Sequence, residues 1–122
     1  MDQEGRNIHE RIFRFALLVL RFVRLIPQTI ENKVIIHQLA KSVTSIGANS
    51  QEADGSESKK DFIHKFLIAR KEAKETNYWI RLVCAHNCKN LELVNQGKKL
   101  FDEGEELVKI ISAIVKNTRR TQ

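Results

Sequence analysis

A chain of 122 residues with 42% hydrophobic and 30% charged residues has the make-up of a soluble globular protein, long enough to bury one core without disulfide or metal staples. One proline and five glycines leave few turns between strands, and Cys84 and Cys88, the two cysteines, share one side of a helix rather than closing a loop, so reduced thiols are expected. Twenty-one Lys and Arg against fifteen Asp and Glu give a net charge of +6, which biases the chain towards polyanionic partners such as RNA, DNA or an anionic surface.

The first helix is expected over residues 7–26, ended by Pro27, which lacks a donor and disfavours helical backbone in the residue before it. Ile8, Ile12, Phe15, Val19, Phe22, Val23 and Ile26 share one broad apolar face at about 100° per residue. Phe13, Leu17 and Leu20 project from a different side, and Arg11, Arg14, Arg21 and Arg24 share the remaining arc. Such a helix buries two sides, either at the centre of its own bundle or with the second side, Phe13, Leu17 and Leu20, against another subunit. The arginines also interrupt the apolar run before it reaches the roughly 18 residues of a membrane span. It runs into Leu25-Ile26-Pro27 rather than a small-residue cleavage site, so no secretory signal or membrane association is expected and the cytoplasm is the expected compartment.

A second helix is expected over 30–53, with Ile35, Leu39, Ser42, Ile46, Asn49 and Ala53 on its inner face. Asn49 falls among apolar neighbours there, where a polar side chain needs partners and can fix helix register. Ser58 followed three residues later by Asp61 reads as a cap opening the third helix, 59–86. Phe62, Phe66, Ala69, Ala73, Ile80 and Val83 make the inward face of that helix. Lys60, His64, Lys71, Lys74, Tyr78 and Arg81 fall within a narrow arc opposite it, with Arg70 at the edge. Positive charge repeated along a rigid rod, with an aromatic ring able to stack on a base, suits phosphate contact. A solvated helix face is the competing reading, because Glu72 and Glu75 lie close enough to temper the potential.

The fourth helix, expected over 91–117, carries Leu93, Gly97, Leu100, Gly104, Leu107, Ile111 and Ile114 as a heptad seam whose glycines admit a close neighbour. Residues 116–122 read as a basic, frayed tail. Four amphipathic helices with short connections and no strand signal predict an all-α fold, an up-down-up-down antiparallel four-helix bundle with residues 1–122 as one domain.

The search for chemistry is mostly negative. On a helix His86 points about 200° away from Cys84, so Cys84, His86 and Cys88 do not converge on a metal. His9, His37, His64 and His86 are dispersed over three helices without the Glu-x-x-His pairing of di-iron bundles. No phosphate loop, nucleophile elbow or dinucleotide fingerprint occurs. No catalytic, cofactor or metal site is therefore expected, and the protein is not expected to be an enzyme.

The run Ser42-Val43-Thr44-Ser45-Ile46-Gly47-Ala48-Asn49-Ser50-Gln51-Glu52-Ala53, followed by Ser58-Lys59-Lys60-Asp61-Phe62, resembles the bacterial four-helix bundle proteins encoded in intervening sequences of large-subunit ribosomal RNA genes. The segment from Ala69 to Leu82, with Thr76-Asn77-Tyr78-Trp79, is similar to that family's third helix. A common family form has Asn-Ile-Ala-Glu-Gly where this chain has Asn49-Ser50-Gln51-Glu52-Ala53, as a variant branch would. The resemblance implies a homopentamer, since the family and the similar accessory proteins of diversity-generating retroelements form five-subunit barrels. In the latter a basic surface engages nucleic acid and a reverse transcriptase. By the same resemblance Asn49, Glu52, Tyr78 and Trp79 are structural.

The expectation is a non-catalytic oligomer that binds structured RNA or DNA through Arg11, Arg14, Arg21 and Arg24 of the first helix and Lys60, Lys71, Lys74 and Arg81 of the third. The alternative is a protein-interaction scaffold, such as an accessory subunit for a reverse transcriptase, in which the apolar side of the first helix matters more than the charge.

Overall fold

A computed structural model of the protein describes residues 3–121, with side chains described from Ile8 onward, and forms four helices. Helix α1 spans Gln3–Val23, beginning four residues before the expected start and ending three before the expected end. Its termination is gradual. The N–H groups of Arg24, Leu25 and Ile26 donate to Arg21, Phe22 and Val23 carbonyls at 3.1, 2.9 and 3.1 Å, a tightened last turn forced by the approach of Pro27. Helix α2 (Ile30–Asp54) starts at Thr29, whose hydroxyl accepts from Asn32 N–H at 3.2 Å. Helix α3 (Lys59–His86) has the expected bounds, and the cap is the expected one: Ser58 Oγ accepts from Asp61 N–H at 3.0 Å. Helix α4 (Leu91–Arg120) is capped by Asn90, which accepts from Leu93 N–H at 3.2 Å. It runs through most of the tail expected to fray, so Lys116 and Arg119 sit on ordered helix.

The helices form the antiparallel up-down-up-down four-helix bundle expected from the sequence. Each packs on its two neighbours around the bundle: α1 on α2 and α4, α3 on α2 and α4, with α1 and α3 on one diagonal. Contacts at one end of the bundle fix the directions. His9 near the start of α1 lies against Ser50 near the end of α2, Lys65 of α3 pairs with Glu52 of α2 at 3.1 Å, and Arg70 of α3 meets Ser112 of α4.

Burial follows the seams, with a drift where they are long. Ile8, Ile12, Phe15, Val19, Phe22 and Ile26 of α1 are all at most 2% exposed. On α2 Ser50 is buried, whereas Asn49, expected inside, is half-buried and donates to Ser45 of its own helix at 2.9 Å. On α4 Val115 is buried and Ile114 is half-buried. Both shifts have one cause. A straight helix drifts by about 20° per heptad against a strict seven-residue repeat, so by the third repeat the next residue faces inward. Phe62 is likewise half-buried at the end of the α3 face, while Thr76 and Asn77 are buried on it.

Buried polar pairs stitch neighbouring helices together. Thr76 Oγ1 donates to Ser42 Oγ at 2.8 Å, and Asn32 and Asn87 exchange amide hydrogen bonds at 3.0 Å in each direction. Each pair satisfies groups whose burial would otherwise cost free energy, and a one-turn slip would orphan them. The glycines of α4 bring α3 close: a Cβ at Gly97 would overlap Cys84 Sγ, and one at Gly104 would overlap the Asn77 amide.

Candidate nucleic-acid interface

The basic stripe of α3 stands outside the bundle. Phe66, Ala69, Ala73, Ile80 and Val83 are at most 1% exposed, and this burial turns the opposite arc, with Lys60, His64, Lys71, Lys74, Tyr78 and Arg81, into solvent. Among the described residues none of Lys60, Lys71, Lys74 and Arg81 has an ion-pair partner. Tyr78 is 55% exposed and meets Trp79 edge-on, ring centroids 5.0 Å apart, while Trp79 Nε1 donates to Glu75 at 3.4 Å. The Glu75 carboxylate is thus drawn towards Trp79. Arg70, at the edge of the stripe, is half-buried and donates to Ser112 Oγ at 3.3 Å.

The arginines of α1 lie elsewhere. Arg14, Arg21 and Arg24 are exposed, but on the helix diagonal to α3, so the two halves of the sequence-derived set do not form one surface on a subunit. Arg11 is spoken for. Its Nε and Nη2 donate to the two carboxylate oxygens of Glu103 on α4 at 2.8 and 2.7 Å, and that hydrogen-bonded partner raises its pKa. This bidentate pair fastens α1 to α4, and sequence periodicity along one helix could not reveal it.

Around Arg14, Arg21 and Arg24, α1 turns apolar side chains outward: Phe13 is 57% exposed, Leu17 39%, Leu18 43% and Leu20 39%. Phe13, Leu17 and Leu20 lie on the outward arc, as their spacing requires, and Leu18 stands nearer the side occupied by Arg11.

Nothing in the remaining chemistry converges. Among the described residues no group of three His, Cys, Asp or Glu could hold a metal ion. Cys84 is half-buried against α4, and burial pushes its thiol pKa up, away from nucleophilic thiolate. His86 is exposed and faces Glu31 at 3.4 Å. Glu31 has its pKa lowered first by its own backbone N–H at the start of α2 and then by His86. An open concavity at the α2–α3 turn is lined by Glu52, Glu57, Asp61 and Lys65 with turn residues, a charge pattern unlike that of the stripe. No described helix is long and apolar enough to cross a membrane.

Comparison with known proteins agrees with the fold. A crystal structure of a protein of unknown function from the S23 ribosomal protein family of Bacteroides thetaiotaomicron VPI-5482 is similar, with a TM-score of 0.80 and 31% identity over 93% of this chain and 99% of that one. No curated protein matches the chain. The model of the family described as 23S rRNA-intervening sequence protein matches residues 5–113. The chain belongs to the 23S rRNA-intervening sequence protein family.

Proposed function

We propose that this protein is a non-catalytic oligomer that binds structured RNA or DNA through phosphate contacts on the outer face of α3. The observation that carries the reading is the row of exposed Lys60, Lys71, Lys74 and Arg81 without ion-pair partners among the described residues, on a helix whose other side is locked in the core. A lysine engaged in a surface ion pair offers a phosphate little; a solvated one exchanges bound counterions for it at little cost. Base sequence is not read, because the groups presented are three lysine point charges, one guanidinium and one tyrosine ring on the flat side of a rod rather than a set of donors and acceptors entering a groove. The family's description gives the reading its direction towards ribosomal RNA.

Assembly is the second part of the proposal. The outward Phe13, Leu17 and Leu20 form an apolar surface of the sort that marks an interface, and its occupant is another copy of the chain, five in all as the resemblance implies. The scaffold reading, with a reverse transcriptase or another protein as partner, draws on this same apolar face of α1 rather than on α3. Arg14, Arg21 and Arg24 stand beside that face, on the helix diagonal to α3.

The test is a salt series with purified protein, a structured RNA and a duplex DNA, with mass recorded by light scattering in the same buffers. Affinity that falls steeply with salt while the mass stays that of one oligomer is expected. Leu17→Glu with Leu20→Glu should then reduce the mass to that of smaller species. Absence of binding at low salt would remove the nucleic-acid reading and leave the scaffold; a monomeric wild-type protein would remove the assembly.

A further inference from the structure

We propose that the phosphate-binding surface is a groove with two rails, in which Lys98, Lys116 and Arg119 of α4 act with Lys60, Lys74 and Arg81 of α3, and that its ligand is the backbone of a nucleic-acid duplex lying along it. The proposal rests on the nucleic-acid reading above and adds a second helix to it. On α4, Lys98, Glu105, Ser112 and Arg119 recur at intervals of seven residues, two helical turns, and so form one row that drifts by about 20° per step. Two members of the row show which way it faces. Glu105 accepts from Asn77 Nδ2 of α3 at 3.2 Å, and Ser112 Oγ accepts from Arg70 of α3 at 3.3 Å. Lys98 and Arg119 continue the row in both directions, and Lys116 lies one turn beyond Ser112; all three are exposed and without ion pairs among the described residues.

The opposite rail has the same construction. Lys74 and Arg81 follow Arg70 and Asn77, the two α3 residues that touch α4, by four residues each, which places them on the flank of α3 nearer α4. Lys60 precedes Lys74 by fourteen residues on the same flank. The antiparallel register brings Lys98 within about one turn of the level of Arg81, and Arg119 within about one turn of Lys60. Charge therefore stands on both sides of the groove at both of its ends. The α1 arginines are outside it, because α1 is diagonal to α3 and meets α4 on the flank of Glu103.

From Lys60 to Arg81 the rail is about 31 Å long at 1.5 Å per residue, close to one turn of a duplex. A duplex suits it better than a single strand. Single-strand recognition stacks successive bases on aromatic rings, and Tyr78 is the sole exposed aromatic among the described residues of α3 and α4. Within the α4 row Glu105 is the one acid, its carboxylate held by Asn77.

The experiment compares the wild-type protein with two variants, Lys98→Gln/Lys116→Gln/Arg119→Gln on α4 and Lys33→Gln/Lys41→Gln on α2, whose two lysines are exposed and lie outside the groove and off α1. Each is titrated with a 20-base-pair RNA duplex and a DNA duplex of equal length across about 50 to 200 mM salt. Gln keeps helix propensity close to that of Lys and Arg, and thermal melts check that each variant folds. The α4 variant should bind about tenfold or more weakly at the middle of the range, with the slope of log affinity against log salt shallower by about 2–3. The α2 variant should keep the wild-type slope. Loss on the RNA arm alone or the DNA arm alone would support the groove and name the duplex it serves. Wild-type slope in the α4 variant, with binding lost when Lys71, Lys74 and Arg81 are reversed, would overturn the groove and leave α3 as the whole site. A slope as shallow in the α2 variant as in the α4 variant would also overturn it, and no binding by the wild type would remove both readings.

Discussion

Reversal of Lys71, Lys74 and Arg81 together to Glu is expected to abolish binding of structured RNA and duplex DNA, weakening it on the order of 100-fold or more at about 100 mM salt. Each change removes one cation from the α3 face and adds an anion facing the phosphates, so the loss exceeds that of neutral substitution. The fold should survive, because all three positions are exposed and surface substitutions of this kind stay within about 0.5 kcal/mol each. The mass of the oligomer should also survive, since the assembly surface proposed on α1 lies on the diagonal helix. Binding is measured by fluorescence anisotropy and mass by light scattering in the same samples. Undiminished affinity would show the stripe to be a solvated helix face.

Gly104→Ala should destabilise the protein by about 1–3 kcal/mol, as overpacking of a filled core does, although alanine forms helix better than glycine by about 1 kcal/mol. The added Cβ would overlap Asn77 Oδ1 and approach Asn77 Cγ to 2.7 Å. Asn77 has no easy retreat. It is 4% exposed, and its amide nitrogen is held to Glu105 at 3.2 Å while Oδ1 has no hydrogen-bond partner among the described residues. In an Asn77→Ala background the same Gly104→Ala change should cost nothing and stabilise by up to about 1 kcal/mol, because the obstacle has gone and the propensity gain remains. Urea unfolding at one fixed protein concentration measures the cycle. Equal costs in the two backgrounds would mean that Asn77 does not set the α3–α4 approach.

Much of the bundle was legible because each helix announces itself locally. Pro27, Ser58 and the seam of α4 are signals within one element, and they placed the bounds of α2 and α3 within a residue. The departures come from geometry that accumulates or from partners on another helix. Seven-residue counting misplaced Asn49 and Ile114 by one position, since the drift of a straight helix adds up over repeats. Thr76 and Asn77 were read as part of a family motif, and only the packing of α2 and α4 against α3 explains why two polar side chains belong inside.

The candidate site divides in the same way. The exposure of Lys60, Lys71, Lys74 and Arg81 followed from the apolar face opposite them, an inference within one helix. Which stripes share a surface depends on the order of the helices around the bundle, and that order separates α1 from α3 and joins α3 to α4. Arg11 was counted with its neighbours because nothing near it in sequence reveals Glu103, 92 residues away.

Chemical footprinting of lysines locates the phosphate-binding face on the protein. The protein is acetylated at limiting reagent with and without a structured RNA, and the modification of each lysine is read by mass spectrometry. Protection of Lys71 and Lys74, with Lys33 and Lys41 on the exposed side of α2 reacting as before, is the result expected of phosphate binding on α3. Equal protection of α2 and α3 lysines, or protection of Lys33 and Lys41 alone, would contradict it.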